Sequence, residues 1–184
     1  MSAIVPEPVP GSREIARLLT DAGAVRFGDF TLASGATSHV YIDVKRAWTD
    51  PARLDTLARA LAARVGSEDR LAGMELGAVP LVVAVALRTH RPLVVLRKAA
   101  KEHGTRQAFE GELPAGRRVL LIEDATTTGG TTVRSIEIVR STGALVDRAL
   151  VVIDREEGAV ERLAAIGVRL EPLVRLSELE TRRP

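Results

Sequence analysis

The chain contains no cysteine in its 184 residues. That excludes disulfides, thiolate metal sites and a cysteine nucleophile, and it fits a reducing compartment. Aromatic residues make up only 3% of the sequence, too few to build platforms on which nucleic-acid bases stack. No apolar run reaches membrane-spanning length; the longest, residues 78–87, is about half of what a spanning helix needs. The N-terminus, MSAIVPEPVPGSRE, lacks a basic region followed by an apolar core, so no signal peptide is expected and the cytoplasm is the expected location. A surplus of one charge is missing as well. The 26 basic and 24 acidic side chains leave a net charge of +2, and arginines heavily outnumber lysines. Mixed charge of this kind describes a solvated surface, not the basic stripe of a nucleic-acid binder. There is no internal repeat and no low-complexity segment.

What remains is the composition of a folded domain, 46% hydrophobic and 27% charged, at a length that suits one core. Residues 1–11, with three prolines and a glycine, read as an irregular arm. A helix over residues 12–22 has Ser12 as a capping candidate and Ile15, Leu18 and Leu19 on one face. Residues 25–32 and 40–44 read as strands around a turn at 33–38. Pro51 opens a second helix with Leu54, Leu57, Ala58, Leu61 and Val65 at helical spacing. From residue 71 onward, strands at 71–76, 92–96, 119–122, 145–153 and 168–173 alternate with helices at 79–87, 131–140 and 156–166. A last turn follows at 176–179. Alternation of this kind predicts a parallel α/β sheet with right-handed crossovers, which binds ligands at the carboxyl ends of its strands.

Three polar segments fall at those ends. Residues 119–135 read VLLIEDATTTGGTTVRS: four apolar residues of a buried strand, two acids, a Thr/Gly turn, then a helix. Such a turn can aim N–H groups and hydroxyls at a phosphate, with a helix N-terminus behind them. The lysine of an ATP-binding P-loop is absent. Glu123 and Asp124 would face a neutral hydroxyl-rich group, or a metal. A ribose 5-phosphate offers both a diol for the acids and a phosphate for the turn. Residues 96–111, LRKAAKEHGTRQAFEG, gather Arg97, Lys98, Lys101 and His103 after a predicted core strand. Residues 73–80, GMELGAVP, form a strand-to-helix turn. Other signals carry nothing. GELPAGRR (residues 111–118) has arginines where a P-loop needs lysine and Ser/Thr. His39 and His90 have no metal-ligand partners at useful spacing.

The strand, acid pair and Thr/Gly turn resemble the phosphoribosyl-pyrophosphate loop of the type I phosphoribosyltransferases. The run R-K-x-x-K-x-H-G resembles the flexible catalytic loop of orotate phosphoribosyltransferases in particular; the adenine enzymes share the arginine–lysine–lysine run but not the His103–Gly104 ending. Residues 30–43, FTLASGATSHVYID, resemble the family's N-terminal signature F-x-L-x-S-G-x-x-S-x-x-Y-x-D, matched at Ser34, Gly35, Ser38, Tyr41 and Asp43. The turn at 73–80 resembles the pyrophosphate-binding loop. Ala33 and Gly77 stand where some members carry substrate-binding lysines, which leaves the backbone N–H groups of Leu76, Gly77 and Ala78 to meet pyrophosphate. In IDREEG, Arg155 resembles the arginine that pairs with the orotate carboxylate, a task suited to its planar fork.

The resemblance implies a single α/β domain of the type I phosphoribosyltransferase fold over residues 1–184. It would have an N-terminal hood before about residue 50 and a parallel core sheet flanked by helices after it. It implies transfer of the 5-phosphoribosyl group to orotate, giving orotidine 5′-monophosphate and pyrophosphate, with Mg²⁺ held mainly by the substrate and no protein metal site. Lys101, His103 and Asp124 would be catalytic. Arg97, Lys98, Lys101, His103, Glu123, Asp124, Ala125, Thr126, Thr127, Thr128, Gly129, Gly130 and Thr131 would bind phosphoribosyl pyrophosphate. Thr127, Arg155, Tyr41 and Ile42 would bind orotate. A homodimer with shared active sites is implied too, since the family's loop reaches the neighbouring site. The alternatives are a phosphoribosyltransferase for a purine base and a non-catalytic regulator that senses phosphoribosyl pyrophosphate. No nucleic acid and no membrane is expected as a partner.

Overall fold

A computed structural model describes residues 8–31, 37–98 and 108–180. The chain opens with α1 (Ser12–Asp21) and an antiparallel hairpin of β1 (Val25–Thr31) and β2 (Thr37–Ile42). The short α2 (Lys45–Trp48) and α3 (Pro51–Ala62) follow. Then come β3 (Arg70–Met74), α4 (Val79–Thr89), β4 (Leu93–Leu96), β5 (Phe109–Glu110), β6 (Val119–Thr126), α5 (Gly130–Arg140), β7 (Arg148–Asp154), α6 (Ala159–Ala164), β8 (Arg169–Arg175) and α7 (Leu176–Glu180). The main sheet has the order β5-β4-β3-β6-β7-β8, parallel except for β5.

Alternation along the central strands sets the layers. In β6, Leu120 and Ile122 face one side and Val119 and Leu121 the other, all at 1% exposure or less. Leu150 and Val152 of β7 join the first side, and Ala149 and Val151 the second. A strand buried on both faces reads as a continuous apolar run, because helices cover each face. The first side packs against Ile15 and Leu19 of α1, Leu57 and Leu61 of α3, and Leu81 and Val85 of α4. The second packs against Ile136 and Val139 of α5 and Leu163 of α6. The first 50 residues are therefore divided. Helix α1 and the hairpin residues Val25 and Val40 belong to the main core, while the two hairpin strands form their own sheet.

Several boundaries differ from the sequence pattern, each for a local reason. Ser12 is the first helical residue, with Gly11 as N-cap, and its hydroxyl donates to Glu178 instead of capping. Asp50 does cap α3, accepting from the Arg53 N–H at 3.0 Å. Strand β6 runs on to Thr126 because Glu123, Ala125 and Thr126 pair with Val151, Ile153 and Asp154 of β7. The acid pair thus lies within a strand, two residues before its end, and does not sit in a loop. Strand β7 starts at Arg148, since Leu145 makes only an isolated bridge to Arg118. The two-residue β5, pairing with Val95 and Leu96, has no signal in the sequence.

At the amino ends of the strands, Arg148 ties three segments together. It donates to Glu68 at 2.6 Å, to Glu171 at 2.9 and 3.1 Å, and to the Arg64 carbonyl at 3.0 Å. Glu68 is only 4% exposed, so it relies on this guanidinium and on the Gly66 N–H, which donates to its other oxygen at 2.7 Å. The guanidinium also holds the Glu171 carboxyl below its ordinary range, so this contribution is complete above pH 4.5 and fades as the pH falls below it. Arg148→Met should cost about 3 kcal/mol, the usual penalty for stranding one partner of a buried ion pair. Urea denaturation at pH 7 measures this; a loss under about 1 kcal/mol would mean that Glu68 finds water instead.

Candidate active site

The carboxyl ends of β3, β4 and β6 meet in a cleft of about 350 Å³. Its walls include Lys45, Glu75, Gly77, Lys98, Glu123, Asp124 and Thr131. A larger groove of about 510 Å³ lies at the amino ends, beside Arg118, Arg148 and Arg169. Its arginines are already paired, Arg118 with Asp147 at 2.9 Å, Arg148 with Glu68 and Glu171, and Arg169 with Glu171 at 2.7 Å. The smaller cleft is the candidate site, because it gathers the acid pair and the start of α5 at the carboxyl ends of the strands, where parallel α/β sheets bind ligands.

The acid pair forms the floor. Because residues alternate along a strand, Glu123 and Asp124 point to opposite sides of β6. Glu123 is 5% exposed, and the Ser135 hydroxyl lies 3.4 Å from its Oε1. Burial pushes its carboxyl up to about 8; the charge of Asp124 adds to this, and Ser135 and Lys98 oppose it. Burial raises Asp124 too, against the Ala125 N–H at 2.9 Å and the charge of Lys45. A Cβ on Gly77 would sit 2.1 Å from Asp124 Oδ2. Gly77 is therefore the residue that lets the turn approach the acid, and no lysine fits there without displacing Asp124.

The Thr/Gly turn follows directly. Gly129, at φ 77°, is the N-cap of α5, and a Cβ there would meet Leu163 at 2.9 Å. Arg162 of α6 donates to the Thr128 carbonyl at 3.1 Å and holds the turn from behind. Thr127, Thr128 and Thr131 stay exposed, whereas Thr126 is buried. Exposed hydroxyls at a helix N-terminus present donors to an anion.

Arg155 lies alongside. Its N–H donates to the Thr126 carbonyl at 3.0 Å, and its guanidinium donates to Ser38 Oγ of the hairpin at 3.3 Å. Its Nε is 2.8 Å from Glu157 but off the hydrogen-bond line, so that contact is an ion pair. The structure separates Tyr41 from Ile42. Ile42 shares the Ser38 face of β2 and packs on the core. Tyr41 points the other way, with Phe30 at 5.6 Å between ring centroids and the Arg26 guanidinium 4.9 Å above its ring. Of the cationic loop, Arg97 pairs with Glu110 at 3.4 Å, and the Lys98 N–H donates to Glu75 at 3.0 Å. Lys101, His103, Ala33, Ser34 and Gly35 lie outside the described residues. In the 73–80 turn the Ala78 N–H bonds to Met74 at 3.3 Å, which removes it from the donors available to pyrophosphate.

Residues 48–170 match the family described as the phosphoribosyl transferase domain. The chain belongs to that family. It is 44% identical over 166 residues to an orotate phosphoribosyltransferase of Methanothermobacter thermautotrophicus, covering 90% of this chain and 92% of the relative. The crystal structure of orotate phosphoribosyltransferase from Aeropyrum pernix superposes with a TM-score of 0.81 at 39% identity, over 91% of this chain and 97% of that one. UMP synthase of Leishmania donovani matches with a TM-score of 0.80 at 38% identity, over 92% of this chain but 37% of that longer one.

Sequence reasoning missed Lys45, Ser135 and Arg162. Ser135 had a signal, a small polar residue on the buried face of α5 beside Ile136 and Val139. Lys45 and Arg162 had none that distinguishes them from surface cations.

The buried acid gives this phosphoribosyltransferase a pH signature. A carboxyl raised in the folded state takes up a proton on folding at every pH between its ordinary value of 4.5 and about 8. Stability of the empty protein should therefore fall as pH rises through that window. Glu123→Gln, which stays neutral, should flatten the slope and make the empty protein more stable than wild type at pH 8. Thermal melts at pH 5, 6, 7 and 8 decide this; parallel curves for the two proteins would place the Glu123 carboxyl near its ordinary value.

Proposed function

We infer that the protein is an orotate phosphoribosyltransferase, transferring the 5-phosphoribosyl group from phosphoribosyl pyrophosphate to orotate. Orotidine 5′-monophosphate and pyrophosphate are the products, a step of pyrimidine synthesis. The observation that carries the reading is the meeting of Arg155 and the hairpin Ser38 beside the Thr/Gly turn. A bidentate cation there suits a base that bears a carboxylate, which purines lack.

In the reaction a ring nitrogen of orotate forms a bond to the anomeric carbon as the carbon–oxygen bond to pyrophosphate breaks. Positive charge develops on the ribose ring. Asp124 and Glu123 would hold the ribose hydroxyls, and negative charge on this pair favours that cationic ring. Glu123, its carboxyl pushed up to about 8, holds its proton in the empty protein at neutral pH and would release it as positive charge arrives. Residues 125–131 would cradle the 5′-phosphate, with Thr127 also facing the base. Arg155, Ser38 and Ile42 would seat orotate. Arg97, Lys98, Lys101 and His103 would close over the diphosphate, excluding water while charge builds on the leaving group.

The cleft fits a magnesium ion that arrives with the diphosphate. Its acids, Glu75, Glu123 and Asp124, supply only hard oxygen donors, and among the described residues no three of these or other ligand types converge into a metal site. When bound, the ion offsets charge on the diphosphate oxygens and makes it a better leaving group. The cytoplasm is the proposed location; no helix among the described residues is long and apolar enough to cross a membrane.

Arg155→Ala should raise the KM for orotate about 10- to 100-fold, the loss of a charge-assisted pair, while the KM for phosphoribosyl pyrophosphate moves less than about twofold. Turnover of orotate, uracil, adenine and hypoxanthine by the wild type tests the base assignment directly. A purine turned over in preference to orotate would sink it.

The assembly proposed is a homodimer in which Lys101 and His103 serve the partner's site. Mixing Lys101→Ala with Asp124→Asn subunits then creates a dimer with one intact site. Activity should recover toward about a quarter of wild type under random pairing of symmetric subunits. No recovery despite proven subunit exchange would confine the loop to its own subunit.

A further inference from the structure

The sequence holds only three lysines, Lys45, Lys98 and Lys101, among its 26 basic residues. Ordinary surface pairing is done by arginine, as in Arg17–Asp21, Arg59–Asp55 and Arg117–Asp69. Two of the three lysines line the one cleft that holds the acid pair, and the third belongs to the cationic loop motif. Lys98 belongs to that motif as well. Lys45 does not.

Lys45 is the first residue of α2, where the chain leaves the hairpin. Its Nζ lies 2.6 Å from Asp43 Oδ1, and its side chain is 51% exposed. The Asp43 side chain is less open, at 19% exposure, so the pair gives some stability, but half of the lysine still faces the cleft and solvent. The Asp43 carboxylate holds its ammonium in the protonated form, with a smaller contribution from Asp124. An ammonium has three donors, and Asp43 engages only part of that capacity.

The wall beside it explains what is missing. The 73–80 turn faces the same cleft, but Gly77 carries no side chain, and a Cβ there would displace the Asp124 carboxylate. That turn can offer a diphosphate only backbone donors. The cleft is lined by three acids, Glu75, Glu123 and Asp124, against two cations, Lys45 and Lys98. A diphosphate entering so acidic a cleft needs both.

We propose that Lys45 is a diphosphate-binding residue, supplying from the hairpin side the ammonium that Gly77 cannot carry. A compact ammonium suits the role, because it can shift from Asp43 to a phosphate oxygen without the fixed geometry of an arginine fork. This rests on the phosphoribosyltransferase reading, and the test separates the two.

The probes are inorganic pyrophosphate with Mg²⁺, and ribose 5-phosphate, titrated by calorimetry into the full-length protein. Lys45→Gln should weaken pyrophosphate about tenfold or more, as expected for the loss of a charge-assisted contact, and change ribose 5-phosphate less than about twofold. Lys45→Arg should recover part of the pyrophosphate affinity. Thermal melts should show both variants folded, since the side chain is half exposed. Unchanged pyrophosphate binding in folded Lys45→Gln overturns the proposal. So does an equal loss for both probes, which would mean that Lys45 acts through Asp124. If the wild type binds neither probe, the functional reading itself fails.

Discussion

Two adjacent carboxylates at the end of a buried strand are the constraint around which the site is arranged. β6 is apolar through Ile122, so the carboxyl of Glu123 lands at the edge of a dry core. Its raised pKa measures that cost. The surroundings lessen the cost without removing it. Ser135 offers a hydroxyl, the Ala125 N–H satisfies one oxygen of Asp124, and Lys45 and Lys98 bring positive charge. What is left uncompensated is a demand for positive charge and hydroxyl donors. Under the proposed function, a ribose ring that becomes cationic during reaction would meet that demand better than its ground state does, which is the condition for catalysis rather than mere binding.

That demand was legible in the sequence because it needs neighbouring residues only. Apolar strand, acid pair, Thr/Gly turn and helix are contiguous, and their order states their geometry. Alternation of strands and helices likewise announced a parallel sheet and placed the polar segments at its carboxyl ends. What stayed hidden depends on contacts far apart in the chain. The β6 boundary is set by pairing with β7, some thirty residues later. The Arg148 network joins residues 64, 68, 148 and 171, each an ordinary charged residue in its own segment. Gly77 looks in the sequence like a lost lysine; only the structure shows that a Cβ there would collide with the Asp124 carboxylate.

The sheet divides its work between its ends. At the amino ends, charges are matched in pairs, and Arg148 is saturated by two carboxylates and a carbonyl. At the carboxyl ends, matching is incomplete: the pKa values of both acids are raised, and exposed hydroxyls face solvent. At the carboxyl ends even the paired cations, Arg155 with Glu157 and Lys45 with Asp43, keep further N–H donors to spare. Groups left without a full set of partners are costly in the empty protein and are the ones a ligand can satisfy. This is why the larger groove beside the arginines carries no functional argument while the smaller cleft does.

The hairpin completes the site by a register effect. A β-strand turns successive side chains to opposite faces, so β2 can give only every second residue to the site. Ser38 reaches Arg155, and Val40 and Ile42 follow it onto the core side. Tyr41 is thereby committed to the outer face, where Phe30 and Arg26 occupy its ring. One contact thus fixes the whole strand. As long as Arg155 holds Ser38, Tyr41 cannot turn inward without a one-residue slip, and such a slip would carry Val40 out of the core. The buried Val40, at 7% exposure, opposes that slip, so the packing that anchors the hairpin also decides which of its residues turn toward Arg155.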